Sequence, residues 1–300
     1  MKRICVGIVG IASLFATGAW AADLAPRPYT KAPVIVDPGY NWTGFYAGLN
    51  IGYSWGRSSG TQSFVNTTTG AVLNSNPVSF NMDGVIGGGQ IGYNWQRDKW
   101  VFGLEADIQG TGQKGSGSGV CPGGPATSTT TTAAAVNGVC SVGQIGDTIP
   151  FNVPAFPVTS SIDQKLSWFG TVRGRVGATF TPTVLGYVTG GFAYGEVSTT
   201  NTVSGFNQLG PQNVNVPPAF AAVNASSSSR STRAGWTVGA GIEGVVSGNW
   251  TAKIEYLYVD LGTVSGSFVT PLVAPGGAFV TSRYSSHITD NILRVGLNYK

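Results

Sequence analysis

Apolar side chains occupy every second position along several stretches of this chain, and glycine or polar residues fill most positions between them. This two-residue period is typical of a β-strand with one apolar and one polar face. The alternation is clearest between residues 100 and 109. Eight stretches show it: 42–55, 84–95, 100–109, 166–180, 184–197, 235–246, 250–261 and 291–299.

The pattern also assigns side chains to faces. In the fourth stretch, Leu166 and Trp168 fall on the apolar face, opposite Arg173 and Arg175. In the fifth stretch the pattern does not decide which face is apolar, because Tyr187 lies on the face opposite Val188 and both are apolar.

The connections between the stretches alternate in length. Those after the second, fourth and sixth stretches are brief, at 96–99, 181–183 and 247–249. Those after the first, third, fifth and seventh are long and rich in Ser, Thr, Gly and Asn, at 56–83, 110–164, 198–234 and 262–290. Short periplasmic turns and long extracellular loops are typical of a bacterial membrane barrel. We therefore predict an all-β fold, an eight-stranded antiparallel transmembrane β-barrel. A soluble sandwich or barrel, the alternative, predicts turns of mixed length.

The first residues predict export. Lys2 and Arg3 precede an apolar run at 4–15, and Ala19-Trp20-Ala21 is a small-x-small cleavage pattern. The run is too short to span a bilayer as a helix, and a buried N-terminal helix is the alternative. We predict a signal peptide at 1–21, a Pro-rich periplasmic segment at 22–41 and a barrel domain at 42–300.

The composition fits strands that face lipid. Glycine occurs 45 times, aromatic residues make up 11% of the chain, and only 10% of residues are charged. The net charge of +4 includes the two cations of the signal and is too weak to predict nucleic-acid binding. Aromatic residues cluster at strand ends, as expected of the girdles at the two membrane interfaces. The predicted girdle consists of Trp42, Trp55, Trp95, Trp100, Trp236, Trp250, Tyr258 and Tyr299.

The charged residues of the strands fall on the inward face, and their signs balance. Burial of unpaired ions carries a large desolvation cost, which pairing and hydrogen bonding offset. We predict a lumenal ion-pair network of Glu105, Asp107, Arg173, Arg175, Glu243, Lys253, Glu255 and Arg294. An eight-stranded barrel is just wide enough for side chains to fill its interior. The network is therefore either a structural plug, which we favour, or the wall of a narrow gated ion path.

Other chemistry in the sequence is weak. Cys121 and Cys140 lie in one polar stretch, and we predict that a disulfide joins them rather than a metal ion. Residues 87–92 match G-x-G-x-x-G, but the pattern needs a strand–helix context that is absent here. His287 is the only histidine, and its loop carries no nucleophile motif. No residue set predicts a catalytic, metal or cofactor site.

Several motifs resemble a family of small outer-membrane barrels of alphaproteobacteria, the porin-like surface immunogens of rhizobial and brucella-type bacteria, related to the OmpA-like transmembrane superfamily. The similar motifs stand at 41–53, 168–175, 187–191, 250–258 and 293–299. The resemblance implies an outer-membrane location, eight strands and a structural or porin-like role. Some members are credited with haem binding, but no residue set here carries that over. Such chains usually end in an aromatic residue, whereas this one ends Tyr299-Lys300.

We therefore predict a non-enzymatic outer-membrane protein with a structural surface role. A small gated porin is the main alternative, and a lipid-modifying enzyme using His287 is a distant third. The expected partners are outer-membrane lipid and lipopolysaccharide, the barrel-assembly machinery, and an extracellular ligand on the long loops. No nucleic acid is expected.

Overall fold

The computed structural model describes residues 39–121, 158–209, 219–273 and 279–300. Within these residues the chain forms nine antiparallel strands and the turns between them. No helix in this part of the chain is long and apolar enough to cross a membrane. The strands are β1 (Gly44–Asn66), β2 (Val72–Arg97), β3 (Trp100–Thr111), β4 (Lys114–Cys121), β5 (Val158–Thr181), β6 (Val184–Leu209), β7 (Ala219–Ser247), β8 (Trp250–Val273) and β9 (Phe279–Tyr299).

The strands close into a ring of eight. The order is β1-β9-β8-β7-β6-β5-β3-β2, and β1 also pairs with β2, which closes the sheet. β4 continues β3 after a break of two residues, so the two strands occupy one place in the ring. The predicted eight-stranded barrel is confirmed. The three short turns are two residues each, at 98–99, 182–183 and 248–249.

The pairing register gives the barrel its shear. A path of directly paired residues that leaves β1 at Trp55 and passes through β9, β8, β7, β6, β5, β3 and β2 returns to β1 at Phe45. The shear is therefore ten residues, from residue 55 to residue 45. A shear of ten with eight strands tilts the strands by about 40° from the barrel axis. The outward apolar run of β1 from Phe45 to Trp55 is then about 25 Å tall, the height of the apolar band of a membrane barrel.

The predicted loops are largely wrong. Most of 56–83, 198–234 and 262–290 is strand, because each hairpin continues in regular register far beyond the apolar band. Only residues 67–71 separate β1 from β2. The outward side chains change at this height from apolar to Ser, Thr and Asn. The two-residue period of hydrophobicity therefore disappears, although the strand does not.

Above the apolar band the ring separates into two four-stranded sheets. β7 pairs with β8 no further up than Trp236 and Asp260, and β2 pairs with β4 only at Asp83 and Lys114. The sheets β2-β1-β9-β8 and β4-β5-β6-β7 face each other across apolar side chains. This upper core contains Phe64, Val158, Val203, Leu272 and Val280. The extracellular part is thus a β-sandwich built on the barrel.

The side-chain direction predicted for Leu166 is wrong. Leu166 is buried inside the barrel, although the sequence pattern assigned it to the lipid face with Trp168. The register of β5 shifts between these two residues, where a β-bulge places an extra residue in the strand. A bulge reverses the faces on one side of it. The fifth stretch is also resolved, because Tyr187 points inward and Val188 outward.

Candidate functional site: the barrel lumen

The inward face of β1 alternates between glycine and polar residues. Gly48, Gly52, Gly56 and Gly60 each pair directly with an inward polar residue of β9. These partners are Asn298, Arg294, Asp290 and Ser286. A Cβ placed on Gly52 would lie 2.7 Å from the Cβ of Arg294, which is closer than real Cβ atoms approach. The glycines therefore leave the room in which the β9 side chains cross into the lumen. The four-residue repeat of Gly in β1, matched by polar residues in β9, is the signal in the sequence that could have predicted this crossing.

Arg173 and Arg294 lie at the centre of the charged layer, and each contacts three carboxylates. Arg173 pairs with Glu105, with Asp107 at 2.9 Å and with Glu255 at 3.2 Å. Arg294 lies 2.6 Å from a Glu255 oxygen, 2.9 Å from Asp107 and 3.6 Å from Glu105. Both arginines are 1% exposed. The two guanidinium groups thus hold three acids from two strands, β3 and β8, together.

Lys253 and Arg175 extend the layer toward the periplasmic end. The Lys253 ammonium lies 2.9 Å from Glu105. Arg175 lies 2.6 Å from Glu243 and 3.5 Å from Glu105. The structure therefore brings all eight residues of the predicted network into one connected set, with four acids against four bases. Desolvation of these ions is offset only because each one has partners of opposite charge.

Two tyrosines complete the charged layer. The Tyr46 hydroxyl donates to Glu105 at 2.6 Å and accepts from Arg175 at 3.1 Å. The Tyr187 hydroxyl donates to Glu255 at 2.9 Å, and the Arg175 guanidinium lies 4.2 Å from the centre of the Tyr187 ring. Neither tyrosine was predicted from the sequence to belong to the site, because a tyrosine has no fixed place in an apolar–polar alternation.

Polar rungs cross the lumen above the charged layer. In the first rung the Asp290 carboxylate accepts from Ser54 at 2.5 Å and from Gln113 at 3.0 Å. In the next, Gln164 accepts from Ser58 at 2.6 Å and donates to Ser286 at 2.8 Å. The uppermost rung joins Gln62, Ser160, Asn201 and Ser282. The polar contribution of β1 thus recurs every four residues, from Asn50 to Gln62.

Apolar side chains fill the remaining cross-section. Buried residues of β2, β5, β6, β8 and β9 pack together beside the polar rungs, and they include Met82, Ile86, Leu166, Phe169, Leu257 and Ile292. The described interior of the barrel is therefore packed with side chains at several levels, from the periplasmic end to the sandwich.

Trp42 is wrongly placed in the predicted girdle. Its side chain is 2% exposed and packs inside the periplasmic end of the barrel against Val101, Leu185 and Tyr187. Its backbone N–H donates to Gln96 of the neighbouring strand β2 at 2.8 Å, and its contacts with Leu185 and Tyr187 of β6 place the segment before β1 across the opening. A tryptophan just before a strand has the same sequence signature whether it turns to lipid or to the lumen.

The other predicted girdle residues face outward. Trp95, Trp100, Trp250 and Tyr299 lie toward the periplasmic turns, and Trp55, Trp236 and Tyr258 lie at the other end of the apolar band. The Trp250 and Tyr299 rings meet at 5.0 Å, and those of Trp236 and Tyr258 at 5.5 Å. All are exposed except Tyr258, which is half-buried.

His287 is an outward residue of β9. Its Nε2 lies 3.1 Å from an Asp260 carboxylate oxygen, and its Nδ1 lies 3.4 Å from the Thr263 hydroxyl. Both contacts are with β8. The ring thus connects two neighbouring strands above the apolar band.

Some predictions fall outside the described residues. These are the signal peptide at 1–21, nearly all of the Pro-rich segment at 22–41, and Cys140, so the predicted disulfide with Cys121 stays a prediction. Among the described residues, no group of three or more His, Cys, Asp or Glu side chains is arranged to hold a metal ion.

Comparison with known proteins agrees with this architecture. The model of the family "outer membrane protein beta-barrel domain" matches residues 8–300. The 31 kDa outer-membrane immunogenic protein of Brucella melitensis is 35% identical over 98% of both chains. A 22 kDa outer membrane protein of Rhizobium leguminosarum is 28% identical over 77% of this chain and 68% of the relative. The crystal structure of Ail from Yersinia pestis covers 82% of this chain and 97% of its own, at 9% identity and a TM-score of 0.29. A TM-score this low supports no conclusion.

Proposed function

This chain belongs to the outer membrane protein beta-barrel domain family and is a β-barrel protein of the outer membrane, and on that premise we propose that it has a structural surface role with a lumen closed to solutes. The observation that carries the proposal is the filled interior. Eight paired ions, the polar rungs above them and the apolar side chains beside them share the lumen of a barrel that has little space to spare.

The alternative, a small gated porin, has one observation in its favour. A line of polar side chains follows β1 and β9 through the barrel, from Asn298 to Gln62. Ions could follow that line only if the Arg294 and Arg173 contacts opened, because both side chains cross it at the charged layer. The closed barrel requires these contacts to persist, and the porin requires them to break.

Conductance of the refolded protein in planar lipid bilayers distinguishes the two. We expect no reproducible current steps from the native protein. Arg173→Ala and Glu255→Ala each remove a side chain from the charged layer, and current steps that appear only in these variants would support the plug. Reproducible open channels in the native protein, altered by the same substitutions, would refute the closed lumen.

We further propose that the protein is not an enzyme. His287 lies between the Asp260 carboxylate, 3.1 Å from its Nε2, and the Thr263 hydroxyl, 3.4 Å from its Nδ1. The hydroxyl is therefore beyond the roughly 2.6–3.2 Å reach that a nucleophile and its base need for acyl transfer. The test is an assay for lipid acyl hydrolysis or transfer with the native protein and His287→Ala. Activity present in the native protein and absent from the variant would overturn this part of the proposal.

The partners in this proposal are membrane lipid, the barrel-assembly machinery and an extracellular ligand at the sandwich end of the molecule. The C-terminal strand that the assembly machinery would meet ends with Tyr299 facing outward beside Trp250. The Lys300 side chain instead turns back, donating to the Asn41 carbonyl and lying 5.3 Å from the Tyr40 ring. We therefore propose that Tyr299 serves, one position early, as the lipid-facing aromatic that the family pattern places at the last position.

A further inference from the structure

Three cations on β1, β4 and β5 lie just above the upper aromatic residues of the barrel. On β1, Arg57 is the first outward residue above Trp55, and on β5, Lys165 is the first outward cation above Trp168. Lys114 is the outward residue that opens β4. All three are exposed. On β6 and β8 the first outward charges are acids, Glu196 and Asp260, and on β7 and β9 exposed cations, Arg230 and Arg283, lie further above the aromatic residues.

The two lysines oppose each other directly. Lys114 and Lys165 are partners in the β4–β5 register, so their Cβ atoms lie about 5 Å apart on the same outward face. Like charges at directly opposed positions destabilise a sheet. Asp83 of β2 is the other direct partner of Lys114, and Asp163 is the next outward residue of β5. Among the described residues, however, no carboxylate oxygen lies within 4.0 Å of either lysine ammonium. An anion from outside the chain would relieve this repulsion.

The barrel holds these cations in position from within. Lys114 follows the break between β3 and β4, where the Gln113 side chain turns inward to Ser54 and Asp290. Because successive side chains of a strand point to opposite faces, the side chain of Lys114 then points outward. The Arg57 guanidinium donates from Nε and Nη2 to Ser79 on β2, at 3.1 and 2.7 Å. It therefore lies over β2, the strand between β1 and the lysine pair.

We propose that Lys114, Lys165 and Arg57 bind a phosphate group of a phosphorylated glycolipid in the outer leaflet of the outer membrane. The height of the cluster selects the occupant. Interfacial aromatic rings lie at headgroup level, and the cations stand one to two outward positions above them, where sugar-linked phosphates of the surrounding leaflet are found.

The test uses purified protein refolded in uncharged detergent, with bisphosphorylated lipid A as the probe. The measurement is the denaturation midpoint as a function of lipid A concentration, since a ligand that binds only the folded state raises the midpoint. We expect Lys114→Gln with Lys165→Gln to weaken the apparent affinity about tenfold to thirtyfold. The matched control is Arg97→Gln with Lys99→Gln, which removes the same charge at a periplasmic turn and should bind as the native protein does.

Three results would overturn the proposal. The lysine variant could bind lipid A as tightly as the native protein, dephosphorylated lipid A could stabilise the native protein equally, or the control variant could lose as much affinity as the lysine variant. All four substituted side chains are exposed, so the variants should fold, and equal midpoints without lipid A verify this. The inference depends on the outer-membrane location and not on a closed lumen, so a conducting barrel would leave it intact.

Discussion

Removal of Arg294 tests whether ion pairing holds the lumen together. The Arg294→Met variant keeps much of the side-chain volume but removes one of the two guanidinium groups that contact Glu255 and Asp107, the one at 2.6 and 2.9 Å. Breaking a buried ion pair by deleting one partner costs about 3–5 kcal/mol, because a buried charge is left uncompensated. The remaining layer would contain four acids and three bases. We therefore expect a loss of this size in the free energy of unfolding.

The assay is urea unfolding in lipid vesicles, followed by tryptophan fluorescence. With a slope of about 3 kcal/mol per molar urea, the loss corresponds to a midpoint lower by about 1 to 2 M. Arg283→Met is the control, because Arg283 is an exposed residue of the same strand, and its midpoint should stay close to the native value.

A double variant separates charge balance from packing. Arg294→Met with Glu255→Gln leaves three acids and three bases, so it should recover part of the stability that the single variant loses. A single variant that loses less than about 1 kcal/mol would contradict the assignment of the layer as a structural plug. A double variant no more stable than the single one would show that packing, rather than charge, causes the loss.

Two further substitutions test the packing of the lumen. Gly52→Ala should destabilise the barrel by about 1–3 kcal/mol in the same urea assay, because the new Cβ would collide with Arg294. The control Gly89→Ala should be tolerated, since the atom nearest to its new Cβ is 3.7 Å away. Equal effects of the two substitutions would contradict the crossing of β9 side chains over β1. Trp42→Ala should lower the free energy of unfolding by about 3–5 kcal/mol, since it opens a cavity at the periplasmic end. It should therefore lower the urea midpoint more than Trp95→Ala, which removes an outward ring. The reverse order would show that Trp42 does not close the barrel.

The local pattern of the sequence was sufficient for the architecture inside the membrane. A strand between lipid and a polar lumen must alternate residue by residue, so Glu105, Asp107 and Lys253 could be assigned inward from their own neighbours alone. The alternating lengths of the connections also predicted correctly that all three short turns lie at one end of the barrel. Above the membrane the surroundings are polar on the outside, the alternation weakens, and the long hairpins looked like loops.

What depends on pairing between distant residues could not be read from the chain. Which carboxylates Arg294 contacts, and why Gly52 must be glycine, follow from a register that joins β1 to β9 across more than 200 residues. The same holds for the bulge that turns Leu166 inward and for the burial of Trp42, since a bulge or a capping segment has no period of its own. The sequence by itself determined which side chains enter the lumen, because that choice is local to each strand. Only the tertiary structure decided which of them meet, because the shear of the closed sheet sets their heights.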